Sequence, residues 1–457
     1  MLRIGWARRD ITPQRPAMLQ GQMHRRIAST ALDPLTVTAL ALEAEDGADG
    51  AVIVSCDLTM TPESLWQATR QRLASRLPGF PPDRIILAAT HTHTSLVIDG
   101  IFYEHPGGEV LTPAEGEVWV AEKITEAVAE AWENRKPGLV GHAFGHAVVG
   151  HNRYALYADG HAQMYGPTNR EDFIGFGGYE DHSLDMLFTW EPEGRLVGMA
   201  LAIPCPAQVD EGLEQFSADY WHDVRLELRR RWGTHLQVLG LCSPAGDQSP
   251  HFLLYGPQER MMRQRRGLTE RQEIAQRVAD AVERALACTG PETGMTGPLA
   301  HRVRRMALPP RQVTQAERDW AHQAREQWIS QHGEANSWWP QRLQRVVDTF
   351  EGRVTPEPVP VELHFLRVGE VAIGTSPFEL FLDYGLQIKA RSPATQTVLI
   401  QLAGHGWYLP TERAVRAGGY GAMPAVSRVG PEGGRELVRE TLSQFQQLFP
   451  EASEGLR

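Results

Sequence analysis

The sequence predicts an α/β fold with a mixed, largely parallel sheet flanked by helices. Three observations carry that expectation: short apolar runs recur along the chain, amphipathic segments separate them, and one such segment has both helix ends written in its residues. The apolar runs are "LTVTALALEA" (35–44), "GAVIVSCDLT" (50–59), "RIILAAT" (84–90), "LVGMALAI" (196–203), "LQVLGLC" (236–242) and "TVLIQLAG" (397–404). Segments 63–77, 115–135, 269–288 and 377–391 repeat their apolar residues at helical spacing. Between 217 and 233, Ser217 is the expected N-cap, Trp221, Val224, Leu228 and Trp232 share a face, and Gly233 is the stop.

Two regions break this rhythm. Residues 100–115 and 150–182 are rich in Gly, His, Tyr and Asp and read as long loops, where function concentrates. Residues 314–350 read as helical and hold Trp320, Trp328, Trp338 and Trp339, as a lid or helical insertion. With no repeat and no Pro/Gly/Ser-rich linker, the parse is one domain over 1–457 with the insertion at 314–350.

Lys plus Arg total 45 against 56 Asp plus Glu, a formal charge of −11. A chain this acidic has no large basic field for nucleic acid or an anionic membrane, and Arg229–Arg231 read as a solvated helix face. No run of apolar residues is long enough to span a bilayer, and "MLRIGWARRDITPQ" lacks the apolar core of a signal peptide. Cys56, Cys205, Cys242 and Cys288 are widely spaced with no CxxC pair and read as reduced thiols, so a cytoplasmic location is expected.

The chemistry-bearing stretches follow the apolar runs. In "ILAATHTHTS" (86–95), His91 and His93 stand two apart at the end of a strand, so they face one side at the edge where α/β sites collect. "SPAGDQSPHF" (243–252) puts Asp247, Ser249 and His251 in a Gly/Pro-rich turn, where a serine becomes a nucleophile only beside an activating base or metal. "SPFELF" (376–381) places Glu379 in the first turn of an expected helix, where a carboxylate also suits the helix dipole. "GWYLPTERAVRAGGY" (406–420) carries Tyr408 and Tyr420.

Taken in order, "DITP" (10–13), "ATHTHT" (89–94), "HNR" (151–153), "SADY" (217–220), "GDQSP" (246–250), "PFE" (377–379) and "YLPTE…GGY" (408–420) resemble the catalytic domain of the neutral/alkaline ceramidase family. The resemblance runs to about residue 445 and is strongest in "THTH" and "GDQSP". It implies a zinc site with His91, Glu379 and Tyr408 as ligands, His93 as an acid/base beside the metal, Arg153 in the pocket, Ser249 as nucleophile and Tyr420 at the oxyanion. The family's second histidine ligand falls on Cys205 in "AIPCPAQ" (202–208), so the implied fourth ligand is a thiolate, with His182 and His222 in reserve.

The expected activity is zinc-dependent hydrolysis of an N-acyl amide, with a small-molecule substrate that is lipid or sugar-like. The polar segment "HNRYALYADGHAQMYG" (151–166) favours a hydrophilic one. Two other readings stand beside it: an esterase or carbohydrate-active enzyme on the same scaffold, and a binding protein whose metal site has degenerated at Cys205.

Overall fold

The computed structural model describes residues 1–453 apart from 101, 296 and 334–336. Its large sheet has eight strands in the order Gln237–Cys242, Leu196–Ile203, Ser183–Trp190, Lys136–His146, Leu2–Asp10, Thr36–Ala44, Gly50–Cys56, Ile85–Ala89. The sheet is mixed, as expected, but only its two outermost pairings are parallel, and the five between them are antiparallel. The reason is local. Turns at 45–49 ("EDGAD") and 191–195 ("EPEGR") reverse the chain into hairpins, which only antiparallel neighbours can share.

The sheet folds back on itself. The Ser55 hydroxyl donates to the Gly240 carbonyl across the two halves, and Trp6 Nε1 donates to Thr189 Oγ1 at 3.0 Å. A second sheet, Leu299–Leu308, Val359–Val368, Val371–Thr375 and Gln396–Ile400, has its last two strands parallel. Its Leu366, Ile373, Val398 and Ile400 join Ile53, Leu87 and Leu239 in one core. Helices Glu63–Arg76 and Pro113–Glu133 pack over one half of the large sheet, Tyr220–Trp232 and Glu270–Leu286 over the other. Helix Pro431–Leu448 covers the second sheet, setting Phe445 edge-on to Phe365.

Several expectations shift by a few residues for reasons visible in hydrogen bonds. The helix expected from Ser217 begins at Tyr220 with Asp219 as its cap, because the Ser217 hydroxyl donates to Asp33 and its carbonyl takes two threonine hydroxyls. Segment 377–391 becomes helical only at Leu382: Glu379 and Phe381 spend their N–H groups on Trp407 O and Leu409 O, forming a two-residue parallel pairing. Residues 150–182 are not plain loop. They form strands His151–Asn152, Tyr154–Tyr157, Ala162–Met164 and Phe173–Phe176, with Asp159-Gly160 as the hairpin turn. Residues 102–112 form an irregular loop, 101 lying outside the described residues.

The 314–350 segment is helical as expected, in Gln315–His332 and Trp338–Phe350, with 334–336 outside the described residues. The two helices close around Ala321, Leu343, Val346 and Val347. Cys56, Cys205 and Cys242 are buried free thiols and Cys288 is exposed. No helix among the described residues is long and apolar enough to cross a membrane.

One buried ion pair fixes the relation of helix to sheet. Both Nη atoms of Arg225 donate to Asp57, at 2.7 and 3.0 Å, and both side chains are almost fully buried. Arg225→Met leaves that carboxylate charged and unpaired, so a urea titration should show a loss of about 3–5 kcal/mol, part of it recovered in the Asp57→Asn/Arg225→Met double variant.

A second test concerns pH. His301 Nε2 lies 3.0 Å from His364 Nδ1, and burial with the neighbouring His364 and Arg84 pushes His301 down to about 2 from its ordinary 6.5. The unfolded chain binds a proton that the folded chain refuses, so this contribution is complete above pH 6.5 and shrinks as pH falls. The loss is about 1.4 kcal/mol per pH unit for one such proton. His301→Gln should flatten the pH dependence of the urea midpoint between 6.5 and 5 by about that slope.

Candidate active site

Three parallel strand pairs end at one place. Gly50–Cys56 with Ile85–Ala89, Leu196–Ile203 with Gln237–Cys242, and Val371–Thr375 with Gln396–Ile400 all direct their carboxyl ends into it. Loops leaving those ends bring Thr59, His91, His93, Gln208, Glu211, Glu379, Tyr408 and Tyr420 to the wall of a cavity of about 190 Å³. Backbone bonds lock the loops together: Ala207 N–H donates to Thr90 O, Ala89 N–H to Leu402 O and Gly246 N–H to Leu380 O. A Cβ at Gly246 would collide with the Glu379 carbonyl, so the glycine of "GDQSP" is a requirement of close approach.

The motif "THTHT" alternates across this wall. The buried hydroxyls of Thr90, Thr92 and Thr94 turn inward, Thr90 towards Asp57 and the other two donating to Ser217 O. His91 and His93 line the cavity, their rings 4.9 Å apart. His91 holds a φ of +65°, a strained value for a residue with a side chain.

His91 Nδ1 lies 2.6 Å from Thr59 O. A carbonyl only accepts, so Nδ1 carries the proton and Nε2 presents a lone pair. That lone pair faces Glu379 Oε2 at 3.3 Å. The Tyr408 hydroxyl, which bonds Glu379, also takes a hydrogen bond from Arg153 Nη2 at 3.1 Å. Burial pulls Glu379 upward, but His91, Tyr408 and Arg153 outweigh it and hold the carboxylate below its ordinary range. Two facing acceptors 3.3 Å apart need a positive partner, either a second proton on His91 or a cation. The spacing is close to the edge of a zinc tetrahedron with bonds of about 2.0–2.1 Å. The donor set of imidazole, carboxylate and phenol oxygen therefore fits zinc with one position open.

The implied fourth ligand is not there. Cys205 belongs to the apolar cluster of Val149, Tyr220 and Trp221 and its thiol contacts Pro206 O. Burial pushes that thiol well up, as it does the Tyr408 hydroxyl, so it is placement and not protonation that sets the two apart. The strand Leu196–Ile203 ends before a bend at Pro204 and Cys205, and beyond it Cys205 lies in the apolar cluster while Gln208 lines the cavity instead. Among the described residues no group of three or more His, Cys, Asp and Glu side chains converges as a metal site; three donors meet here only when the Tyr408 hydroxyl is included. His182 sits 3.6 Å from Glu180 and His222 4.0 Å from Asp33, neither on the cavity wall.

Ser249 differs too. It is fully buried behind the wall, accepting from the Tyr165 hydroxyl and the His251 N–H, both at 3.1 Å, with no base against Oγ. Arg153 lines the cavity, donating to Gly246 O as well as to Tyr408. The Tyr420 ring stands edge-on to Tyr408 at 5.7 Å, and burial raises its hydroxyl so that it stays protonated.

Sequence reading missed Gln208, Glu211 and Tyr165. Glu211 Oε2 is 3.2 Å from His93 Nδ1 and its Oε1 3.3 Å from His251 Nε2. Burial works to lower both histidines; it prevails at His93, whereas at His251 the pairing with Glu211 wins and raises it. Gln208 Nε2 meets His93 Nε2 at 2.7 Å. Both residues lie just beyond the strand 196–203, so the rule that singled out His91 points to this loop as well.

The class defined by these features is an α/β protein with a polar cavity at the carboxyl ends of its parallel strands. No protein-family model and no curated protein matches the sequence. Solved structures do match the fold. The crystal structure of neutral ceramidase from Pseudomonas aeruginosa aligns with a TM-score of 0.74 and 16% identity, covering 98% of this chain and 75% of that one. A ceramidase complexed with C2 aligns with the same TM-score and coverage at 15% identity. The chain has a ceramidase-like fold.

The fit of these donors to zinc can be tested through the response of zinc affinity to substitution, read by competition with a chromogenic chelator. Cys205→Ser should leave affinity unchanged, and His91→Ala should abolish stoichiometric binding. Arg153→Met, which removes the donor to Tyr408, should weaken it by about 10- to 100-fold.

Proposed function

We propose that this protein is a zinc-dependent hydrolase of N-acyl amides. The observation that carries this reading is the facing pair His91 Nε2 and Glu379 Oε2, with the Tyr408 hydroxyl beside them, at the cavity wall. The ceramidase-like fold supports it. Zinc held by His91, Glu379 and Tyr408 would supply Lewis acidity, polarising the acyl carbonyl and acidifying water.

The chain's own residues do the rest. Thr59 O fixes the His91 ring, and Arg153 holds the Tyr408 oxygen in place. Glu211 faces His93 Nδ1, so Nε2 is the atom that takes a proton, a division of labour seen in carboxylate–histidine pairs generally. The Gln208 amide meets that atom in the free protein and is what an incoming water displaces. The protonated Tyr420 hydroxyl donates to the oxygen that becomes negative as the carbonyl carbon turns tetrahedral. Water is the nucleophile in this reading, because Ser249 has no base; it positions Tyr165.

The test is metal analysis of purified protein followed by assay of zinc-loaded enzyme on N-acyl nitroanilides, nitrophenyl esters and nitrophenyl glycosides. One zinc per chain and amide turnover that falls at least about 100-fold in Tyr420→Phe are expected. Stoichiometric zinc with turnover of esters or glycosides alone would exclude amide hydrolysis. Protein that binds no zinc and turns over none of them would be a binding protein.

A further inference from the structure

The cavity wall carries polar atoms that this chemistry does not use. The Trp338 indole N–H is buried without a hydrogen-bond partner among the described residues, and so are Gln208 Oε1 and Arg153 Nε. Turning the Gln208 amide over does not change this, since one end faces His93 and the other stays unpaired. An unpaired buried polar group is costly, because it has lost its water and gained no partner. An alkyl chain offers no acceptor to the indole and no donor to the amide, so it would seal that cost in. A hydroxyl group answers both, because it donates and accepts.

A ring shelf lies beside these atoms. Phe102 is 5.7 Å from Trp338 and 5.6 Å from Trp407, and the two indoles stack at 5.8 Å and 15°. The Arg342 guanidinium sits 3.9 Å over Trp407 and braces it. Trp407 has a φ of +63°, strain that its surroundings impose to present the ring next to Tyr408. Flat apolar surface edged by a few unpaired polar groups suits a saturated ring with C–H bonds on its faces and hydroxyls on its rim. Trp338 opens the helix Trp338–Phe350, so the helical insertion supplies one side of the shelf.

We propose that the substrate is an N-acylated amino sugar whose ring is bound by Trp338 and Trp407, with Trp338 and Gln208 hydrogen-bonding its hydroxyls. The N-acyl half of this assignment rests on the amide-hydrolase reading; the ring-binding half rests on the wall alone. Hydrolysis breaks the amide C–N bond, adds the hydroxyl of water to the carbonyl carbon and its proton to nitrogen, and releases a carboxylic acid and an amino sugar.

Binding can be followed without turnover, by tryptophan fluorescence of the full-length protein titrated with N-acetylglucosamine and, separately, with N-octanoylethanolamine. Saturable binding of the sugar, at least tenfold tighter than the alkyl amide, is expected. Trp338→Phe keeps a ring but deletes the N–H, and should weaken sugar binding about 5- to 20-fold. Gln208→Met should do likewise, and circular dichroism checks that both variants fold. Tighter binding of the alkyl amide, or unchanged sugar affinity in both folded variants, would overturn the assignment. Sugar binding with no hydrolysis of any amide would uphold the ring site and remove the hydrolase reading instead.

Discussion

The candidate site depends on a carboxylate that takes no part in it. Asp57 ends the strand Gly50–Cys56, is fully buried, and accepts from Arg225, from the N–H and hydroxyl of Thr36, and from Thr90. Those partners belong to a helix, a neighbouring strand and the residue before His91. In a medium of low dielectric such a charge is costly unless every bond is made, so one geometry is favoured strongly over its neighbours. Asp33 acts the same way on the other side, taking the Ser217 hydroxyl, the Ala218 N–H and Arg271. Between these two anchors the "THTHT" strip is held by its threonines, leaving its histidines to the cavity.

That division explains what was legible in the sequence. Strict alternation is a local signal, so His91 and His93 could be paired and placed at a strand end before any fold was known. The apolar runs were equally legible, because burial on both faces demands them. Strand direction was not: the hairpins at 45–49 and 191–195 are short, and the chain's alternation of strands and helices suggested crossovers. Glu379 was placed in a helix because Pro377 and the following apolar residues look like a helix start. What keeps it extended is a pairing with Tyr408, 29 residues away, which no local pattern contains.

Cys205 shows the converse error. Motif spacing assigned it to a ligand position, yet the chain bends at Pro204 and Cys205 just beyond the strand, and the way a side chain turns there is not written in a local pattern. A small thiol is content in the apolar cluster behind. Gln208 reaches the cavity from the same loop and brings an amide where a histidine would have been needed to complete four protein ligands. Ser249 follows the same logic. Its oxygen accepts from the Tyr165 hydroxyl and the His251 N–H, so both of its lone pairs are engaged before substrate arrives.

These departures act together. In the proposed reading, a cation held by three protein ligands would keep more positive charge than one with an added thiolate. That would favour polarisation of a carbonyl. The Gln208 amide and the Trp338 indole add hydrogen-bonding capacity with no net charge, which in the proposed reading would suit neutral polar groups over ions. Arg153 is engaged by Tyr408 and Gly246 through Nη2, and Glu211 by two histidines, so most of the charge on the wall is spoken for, whereas the Trp338 indole, Gln208 Oε1 and Arg153 Nε are left over. In the proposed reading, such a cavity uses most of its charge to hold itself together and would recognise substrate mainly through the neutral groups left over.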